Sequence, residues 1–355
     1  MAKRFFRTRT EDRPDLALLG SISQLDVMGY AFPKLFPVIK VGEKGGTITV
    51  ASANLTNSKG TKGRANGTAL TGATLAGTDT TYSATRYEGR GMLYENDGAA
   101  FDDEKAADEA GALLSQRLAW NKVEDDAFKI VFTAARKSAA TELTNQNVVK
   151  ILQQKAKGLR AYGKATLVMT TNTWLDFCEI PEIRERFKAL GVAGGDIGYI
   201  MSDPAKVQAA LGTFLKFDGG VVLFDSDIVD AGGVYDGIVM VMGTRPEAKT
   251  APIPTIKTKA TYGYTAVYIP EDAADADKPF DMRSFYSNDD KANGYDAEAF
   301  LNVVQAHSGA VVATKLLADL SGYTWPVTVV NNNNVTVEQP QAEAAPAAGG
   351  EGGAS

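Results

Sequence analysis

The chain has 355 residues, 44% hydrophobic and 23% charged, with a formal net charge of -6. That is enough apolar material for two domains with real cores, and the acid excess gives no ground for nucleic-acid binding over the whole surface. One cysteine, Cys178, excludes an internal disulfide framework and any cysteine-built zinc site, and one histidine, His307, leaves histidine triads and multi-histidine metal sites without a second member.

No apolar run approaches the ~20 residues of a membrane span. The opening stretch MAKRFFRTR leads into charge without a signal-peptide hydrophobic segment. The expectation is a soluble protein made inside the cell, with no membrane contact.

In chain order, residues 1–35 read as an arm. Lys3, Arg4, Arg7, Arg9 and Arg13 outnumber Glu11 and Asp12. Such a segment is either a solvated terminus or an arm lying on an acidic neighbour or near nucleic acid, with Lys3, Arg4, Arg7 and Arg9 as its contacts. Phe32-Pro33 to Val41 follows, and proline's restriction of the preceding residue predicts an extended entry into the alternating Thr47–Val50.

Between residues 54 and 81 the sequence is rich in Gly, Thr, Ala and Asn, with Leu55, Leu70 and Leu75 as its only large apolar side chains. It cannot hold a core of its own. Flanked by strand-forming sequence, it reads as the tip of a projecting hairpin. Its charges between 54 and 78 are Lys59, Lys62 and Arg64, all positive.

From Asp102 to Lys137 apolar residues recur in steps of three and four: Ala106, Ala110, Leu113, Leu114, Leu118, Val123, Ala127, Ile130, Val131 and Ala134. This predicts one long helix with those residues inward, ~54 Å at 1.5 Å per residue. Asp102, Asp103, Glu104, Asp108 and Glu109 crowd its start, and Arg136 and Lys137 close it, an order that suits the helix dipole.

A second helix is predicted over Asn147–Tyr162 with Gly163 as its stop, then a strand at Thr166–Thr170 and a helical turn at Trp174–Phe177. Pro181 and the Asp203-Pro204 pair open helices ending at Leu190 and Gly212, and Thr213–Phe217, Val221–Phe224 and Ile238–Met242 read as strands. Strand character returns at Tyr262–Ile269 and Asp281–Tyr286, with an acidic surface loop between them that begins at Glu271 and Asp272. Phe300–His307, Ser308-Gly309 and Ala310–Leu316 have the form of a hairpin. Beyond Val337 the composition is that of disorder.

Catalytic signals are weak. Gly158 to Ala165 has the spacing of a phosphate-binding loop up to its last position, but a helix precedes it, a strand follows it, and Ala165 lacks the magnesium-binding hydroxyl. Asp225-Ser-Asp227 lacks calcium-loop spacing. No cofactor, metal or catalytic residue is expected.

The order of elements resembles the major capsid protein of tailed bacteriophages, the HK97-like α+β fold. The residues that carry the resemblance are Leu35–Val41, Ala165–Met169 followed by Trp174-Leu175, and Asp203–Gly212 before a strand, and they look like the lambda-type branch. The resemblance implies an N-terminal arm (1–40), an extended β-hairpin loop (41–97), and a peripheral domain (98–143) with its spine helix at 102–137. It further implies an axial α/β domain (144–250), return strands of the peripheral domain (251–330) and a C-terminal extension (331–355).

Implied partners are copies of the chain in pentamers and hexamers, a portal, scaffold or decoration proteins, and weakly held double-stranded DNA, in a virion assembled in the host bacterial cytoplasm. The residues themselves suggest a complementary contact. Lys59, Lys62 and Arg64 would lie on a neighbour's acidic clusters at 102–109, 124–126 and 271–281. Two rival readings are a small-molecule enzyme with a Gly-rich site near 191–203 and a tail-tube subunit.

Overall fold

The computed structural model describes residues 10–25, 28–51, 77–94, 101, 103–138, 141–143, 148–180, 182–183, 217, 219–224, 236–244, 261–269, 278–316, 328–331 and 334–337. The chain divides into two units, residues 1–317 and 318–355.

The first unit opens with β1 (Glu11–Asp12), 3-10 turns at Leu16–Gly20 and Ile22–Gln24, α1 (Phe32–Leu35) and β2 (Val38–Val41). Then come β3 (Gly45–Ala51), β4 (Gly77–Ser83), β5 (Thr85–Tyr94), the long α2 (Glu104–Ser138) and β6 (Thr141–Leu143). α3 (Val148–Leu159), β7 (Lys164–Thr170), α4 (Thr171–Glu179), β8 (Val221–Phe224) and β9 (Ile238–Thr244) follow. β10 (Gly263–Tyr268), β11 (Asp281–Ser287), β12 (Ala292–Gln305) and β13 (Val311–Leu316) complete it. In the second unit β14 (Thr328–Asn331) and β15 (Asn334–Val337) pair antiparallel.

One sheet runs β1-β11-β12-β10-β2, with β5 also on β12. β11 and β5 both pair residues 292–298 of β12, so they flank it on opposite sides. The other sheet runs β6-β13-β9-β7-β8, and its buried Leu167, Met169, Val239 and Val241 pack with α3 and α4.

α2 joins the two. Its buried residues come in pairs every four positions: Ala107 and Asp108, Gly111 and Ala112, Ser115 and Gln116, Ala119 and Trp120, Val123 and Glu124, Ala127 and Phe128, Val131 and Phe132. Four residues overshoot one helical turn by about 40°, so this stripe winds round the helix by roughly 240° along its length. Its first half packs against β5 and β12. Further on, Phe128 stands 4.5 Å from the Phe224 ring of β8, and the Tyr262 hydroxyl donates to the Ile130 carbonyl.

The close approach of α2 to β5 requires glycine. A Cβ at Gly89 would sit 1.9 Å from the Ser115 carbonyl oxygen, and one at Gly91 2.5 Å from that of Gly111. Gly111 in turn leaves room for the Tyr295 ring.

The winding corrects the expected inward face. Val123, Ala127 and Val131 are buried, but Leu114 and Leu118 are 42% and 40% exposed. They flank the glycine seam instead of filling it. Phe32-Pro33 is also not extended. It begins α1, where proline's missing N–H costs nothing in the first turn, and β2 starts only at Val38.

The expected 300–316 hairpin does not form either. β12 and β13 belong to different sheets, and the turn at Ser308–Ala310 carries the chain from one to the other. β13 thus joins the sheet of β7 to β9, although it falls in the expected return segment.

The hairpin stem is present, with β3 and β4 paired from Gly45–Ser83 to Ala51–Gly77. Ile48 and Val50 are buried against Tyr264, Ala266 and Val304, so the stem lies on the sheet rather than projecting from it. The tip with Lys59, Lys62 and Arg64 lies outside the described residues, as do the helix to Leu190 beyond Ile183, the helix opened by Asp203-Pro204, and most of Thr213–Phe217.

Gly89→Ala is expected to destabilise the fold by about 1–3 kcal/mol through overpacking against helix backbone. Gly158→Ala, where a Cβ meets nothing within 4 Å, is expected to stabilise it by about 0.5–1 kcal/mol. Urea unfolding midpoints of the two variants measure the contrast.

Candidate functional site

The surfaces available for contact are set by how residues 10–36 are fixed on α2. The buried Asp108 accepts from Arg13 Nη1 at 2.8 Å through one oxygen and from the Tyr295 hydroxyl at 2.5 Å through the other. Two turns on, Gln116 Nε2 donates to the Leu16 carbonyl (2.9 Å), and Trp120 Nε1 donates to that of Gly20 (3.1 Å).

One turn further, Glu124 takes the Ala31 N–H on Oε1 (3.0 Å) and the Phe32 N–H on Oε2 (2.9 Å), capping α1. Beside it the Tyr30 hydroxyl donates to the Arg117 carbonyl and to Asn121 Oδ1. Burial pushes this phenol up to about 12. Burial also pushes the Glu124 carboxyl up, partly offset by its two N–H donors.

The five acidic residues expected as contacts at the helix start therefore divide. Asp103 caps α2, accepting the Ala106 N–H at 2.8 Å. Glu104 is exposed, and Glu109 pairs loosely with Lys105 (3.6 Å). Asp108 is 4% exposed and engaged within the subunit, so it is withdrawn from the surface set. The cluster at 124–126 is also engaged internally: Glu124 caps α1, Asp125 pairs with Lys129, and Asp126 accepts from the Tyr87 hydroxyl. Asp102, Glu271 and Asp272 lie outside the described residues, as do Lys3, Arg4, Arg7 and Arg9.

The sheet face turned away from α2 carries a ladder of charges the sequence reading did not single out. Arg90 grips Asp296 through two bonds (2.7 and 3.0 Å) and lies 4.9 Å over the Phe285 ring. Arg86 bridges Glu88 and Glu298, and Lys44 sits 3.4 Å over the Phe300 ring. Period-two alternation of Arg86, Glu88 and Arg90 against buried Gly89 was the signal for it. Where these side chains meet α2, a groove of about 470 Å³ runs between Leu118, Lys122 and β5.

Among the described residues no group of three or more His, Cys, Asp or Glu is placed to hold a metal ion. Gly158 to Ala165 is the end of α3, a 3-10 turn, Gly163 at φ +137° and the start of β7, the helix-then-strand order unsuited to phosphate. His307 packs its ring 5.4 Å from Tyr162. No helix among the described residues is long and apolar enough to cross a membrane.

No protein-family profile and no curated protein matches the sequence. Solved structures do. A phage-related protein from Bordetella bronchiseptica superposes with a TM-score of 0.55 at 15% identity, covering 87% of this chain and 98% of its own. The virus-like particle of Pyrococcus furiosus gives 0.45 at 9% identity (85% and 99% covered). The capsid of cyanophage P-SCSP1u gives 0.41 at 11% (81% and 88%). The fold is the α+β, HK97-like fold.

Asp108→Ala removes the acceptor that Arg13 and Tyr295 share, while Arg13 keeps Asp15 at 2.7 Å, and is expected to cost about 1–3 kcal/mol. A carboxyl with a raised pKa stabilises the fold most at low pH and loses that contribution as pH rises through its folded value. The stability difference between the wild type and Glu124→Gln should therefore fall as pH rises from the free-carboxyl range, measured as urea midpoints over about pH 4 to 8.

Proposed function

We propose that this chain is a major capsid protein of a tailed bacteriophage, many copies of which assemble into an icosahedral shell around double-stranded DNA. The supporting observation is the shared fold with the Bordetella phage-related protein over 87% of the chain. The finer assignment follows the capsid plan. Residues 1–40 serve as an arm, 41–97 as the loop, 98–143 with 251–330 as the peripheral domain except for β6 and β13, which join the sheet of β7 to β9, 144–250 as the axial domain around five- and six-fold axes, and 331–355 as an extension. Assembly, not catalysis, is the role, with portal, scaffold or decoration proteins as further partners and the virion as its place.

The intersubunit contact in this reading sets Lys59, Lys62 and Arg64 of one copy on the helix start of the next. There Glu104 is exposed and Glu109 half-exposed, with Asp102 and Asp103 beside them and Glu271 and Asp272 as a second acidic patch. Each such pair contributes only ~0–1 kcal/mol. Repetition over a shell makes the sum large. Lys3, Arg4, Arg7 and Arg9 touch a neighbour or the packaged DNA.

Electron microscopy of the purified protein is expected to show closed shells of uniform diameter. Tubes would favour a tail subunit, and a small discrete oligomer would refute the shell. Reversing Lys59, Lys62 and Arg64 to glutamate is expected to abolish or impair shells while leaving the subunit's melting curve unchanged. Shells at wild-type yield from that variant would refute the contact.

A further inference from the structure

We propose that the solvent face of α3, formed by Lys150, Gln154, Lys157 and Gly158 with Lys164 just beyond it, is a seat for the phosphate backbone of double-stranded DNA. The assembly reading above supplies the source of the duplex, and the seat rests on it to that extent.

The charge here is one-sided. From Leu143 to Leu175 the sequence carries Lys150, Lys155, Lys157, Arg160 and Lys164 and no acid, in a chain whose net charge is -6. Lys150, Lys157 and Lys164 are exposed, and none of the three has a carboxylate partner among the described residues. α2 shows the ordinary pattern of a solvated helix: its Lys105 and Lys129 each pair with an acid one turn away, Glu109 and Asp125. α3 has no such acid.

The helix itself does not account for these positions. The positive N-terminal end of a helix favours acids and the negative C-terminal end favours cations. That explains Lys157 in the last turn of α3, but Lys150 lies in its first turn, which holds no acid. Gly158 is exposed, and a Cβ there meets nothing within 4 Å, so no neighbour in this chain requires a residue that weakens the helix. A glycine without such a neighbour leaves the backbone open to close approach from outside.

The face is also uniform. At 3.6 residues per turn, Lys150, Gln154, Lys157 and Gly158 share an arc of roughly 100° opposite the buried Leu152, Ala156 and Leu159. No large apolar side chain lies in that arc. An acidic protein segment needs apolar anchors, because exposed ion pairs are individually weak and screened. A polyphosphate does not, because each phosphate met by a lysine releases counterions. Gln154 adds a neutral donor of the kind that meets phosphate and sugar oxygens. Lys150 and Lys157 stand about 10 Å apart along the helix axis. Over that length B-DNA presents about six phosphate charges, so contact needs no particular base sequence.

The test titrates a fluorescein-labelled duplex of about 30 base pairs with the full-length subunit and reads anisotropy between about 50 and 200 mM salt. Lys150→Gln with Lys157→Gln and Lys164→Gln should weaken binding about ten-fold and flatten the slope of log affinity against log salt by about 2.7, ~0.9 for each lost contact. Lys40→Gln with Lys105→Gln and Lys291→Gln removes the same charge from exposed positions elsewhere and should leave affinity within about two-fold. Gly158→Gln adds bulk without charge and should weaken binding about three-fold. Melting curves at or above that of the wild type exclude unfolding as the cause.

No binding by the wild type at the lowest salt, equal losses from the two lysine sets, or an unaffected Gly158→Gln would overturn the proposal. So would poly-glutamate that displaces the duplex at equal concentration of charge, which would assign the face to an acidic protein. Microscopy of the same preparations separates the two readings: shells whose duplex affinity ignores the α3 variants overturn this face alone, and a small oligomer that still binds duplex through α3 overturns the shell alone.

Discussion

Everything in the first unit depends on how α2 holds residues 13–32. Asp108, Gln116, Trp120 and Glu124 stand at multiples of four along one strip, and each makes a directed polar contact to that segment. Apolar packing alone leaves a segment free to slide by a residue. A carboxylate that must receive two particular N–H groups does not. Buried charge is poor value as stability, because desolvation offsets most of the attraction. Its use here is register: Arg13 and Phe32 are pinned at the two ends, so the intervening turns, β1 and the entry to β2 have one arrangement.

The same step of four solves a second problem. A helix that faced a single layer would bury residues at 3.6 spacing and keep one side dry. α2 serves two sheets in succession, and its buried stripe turns as it goes, from Asp108 against Tyr295 of β12 to Phe128 against Phe224 of β8. Closeness at the first sheet comes from removing side chains at Gly89, Gly91 and Gly111. The seam is then too narrow for leucine, and Leu114 and Leu118 are displaced to its rim. Their exposure and the glycines are two sides of one constraint.

Local signals were legible wherever one element decided the outcome. The long helix, the α3 helix with Gly163 after it, and strands such as Val221–Phe224 follow from period and stop residues, and the β3–β4 pairing follows from strand-forming sequence on both sides of a Gly-rich run. What stayed hidden was set by partners. Phe32-Pro33 is helical because Glu124, 92 residues away in sequence, accepts its N–H. Ser308-Gly309 joins two sheets instead of two paired strands because β13 finds β9. Asp108 and Glu124 looked like surface acids in a charge run. Only the fold shows each facing donors that justify burial.

That last point narrows where electrostatic recognition can act. An acid already held by a cation or by backbone N–H groups adds little field for a second partner. Asp108, Glu124 and Asp125 are engaged in this way, and on the outer sheet face Glu88, Asp296 and Glu298 are matched by Arg86 and Arg90. Among these groups the least engaged negative charge is at the start of α2, at Glu104, with Asp103 holding the Ala106 N–H and Glu109 sharing Lys105. Helix geometry limits what that charge can do. The N–H groups of the first turn carry positive partial charge that offsets it in part. The attraction that this charge can exert on a basic segment is therefore short-ranged and confined to the rim of the helix start.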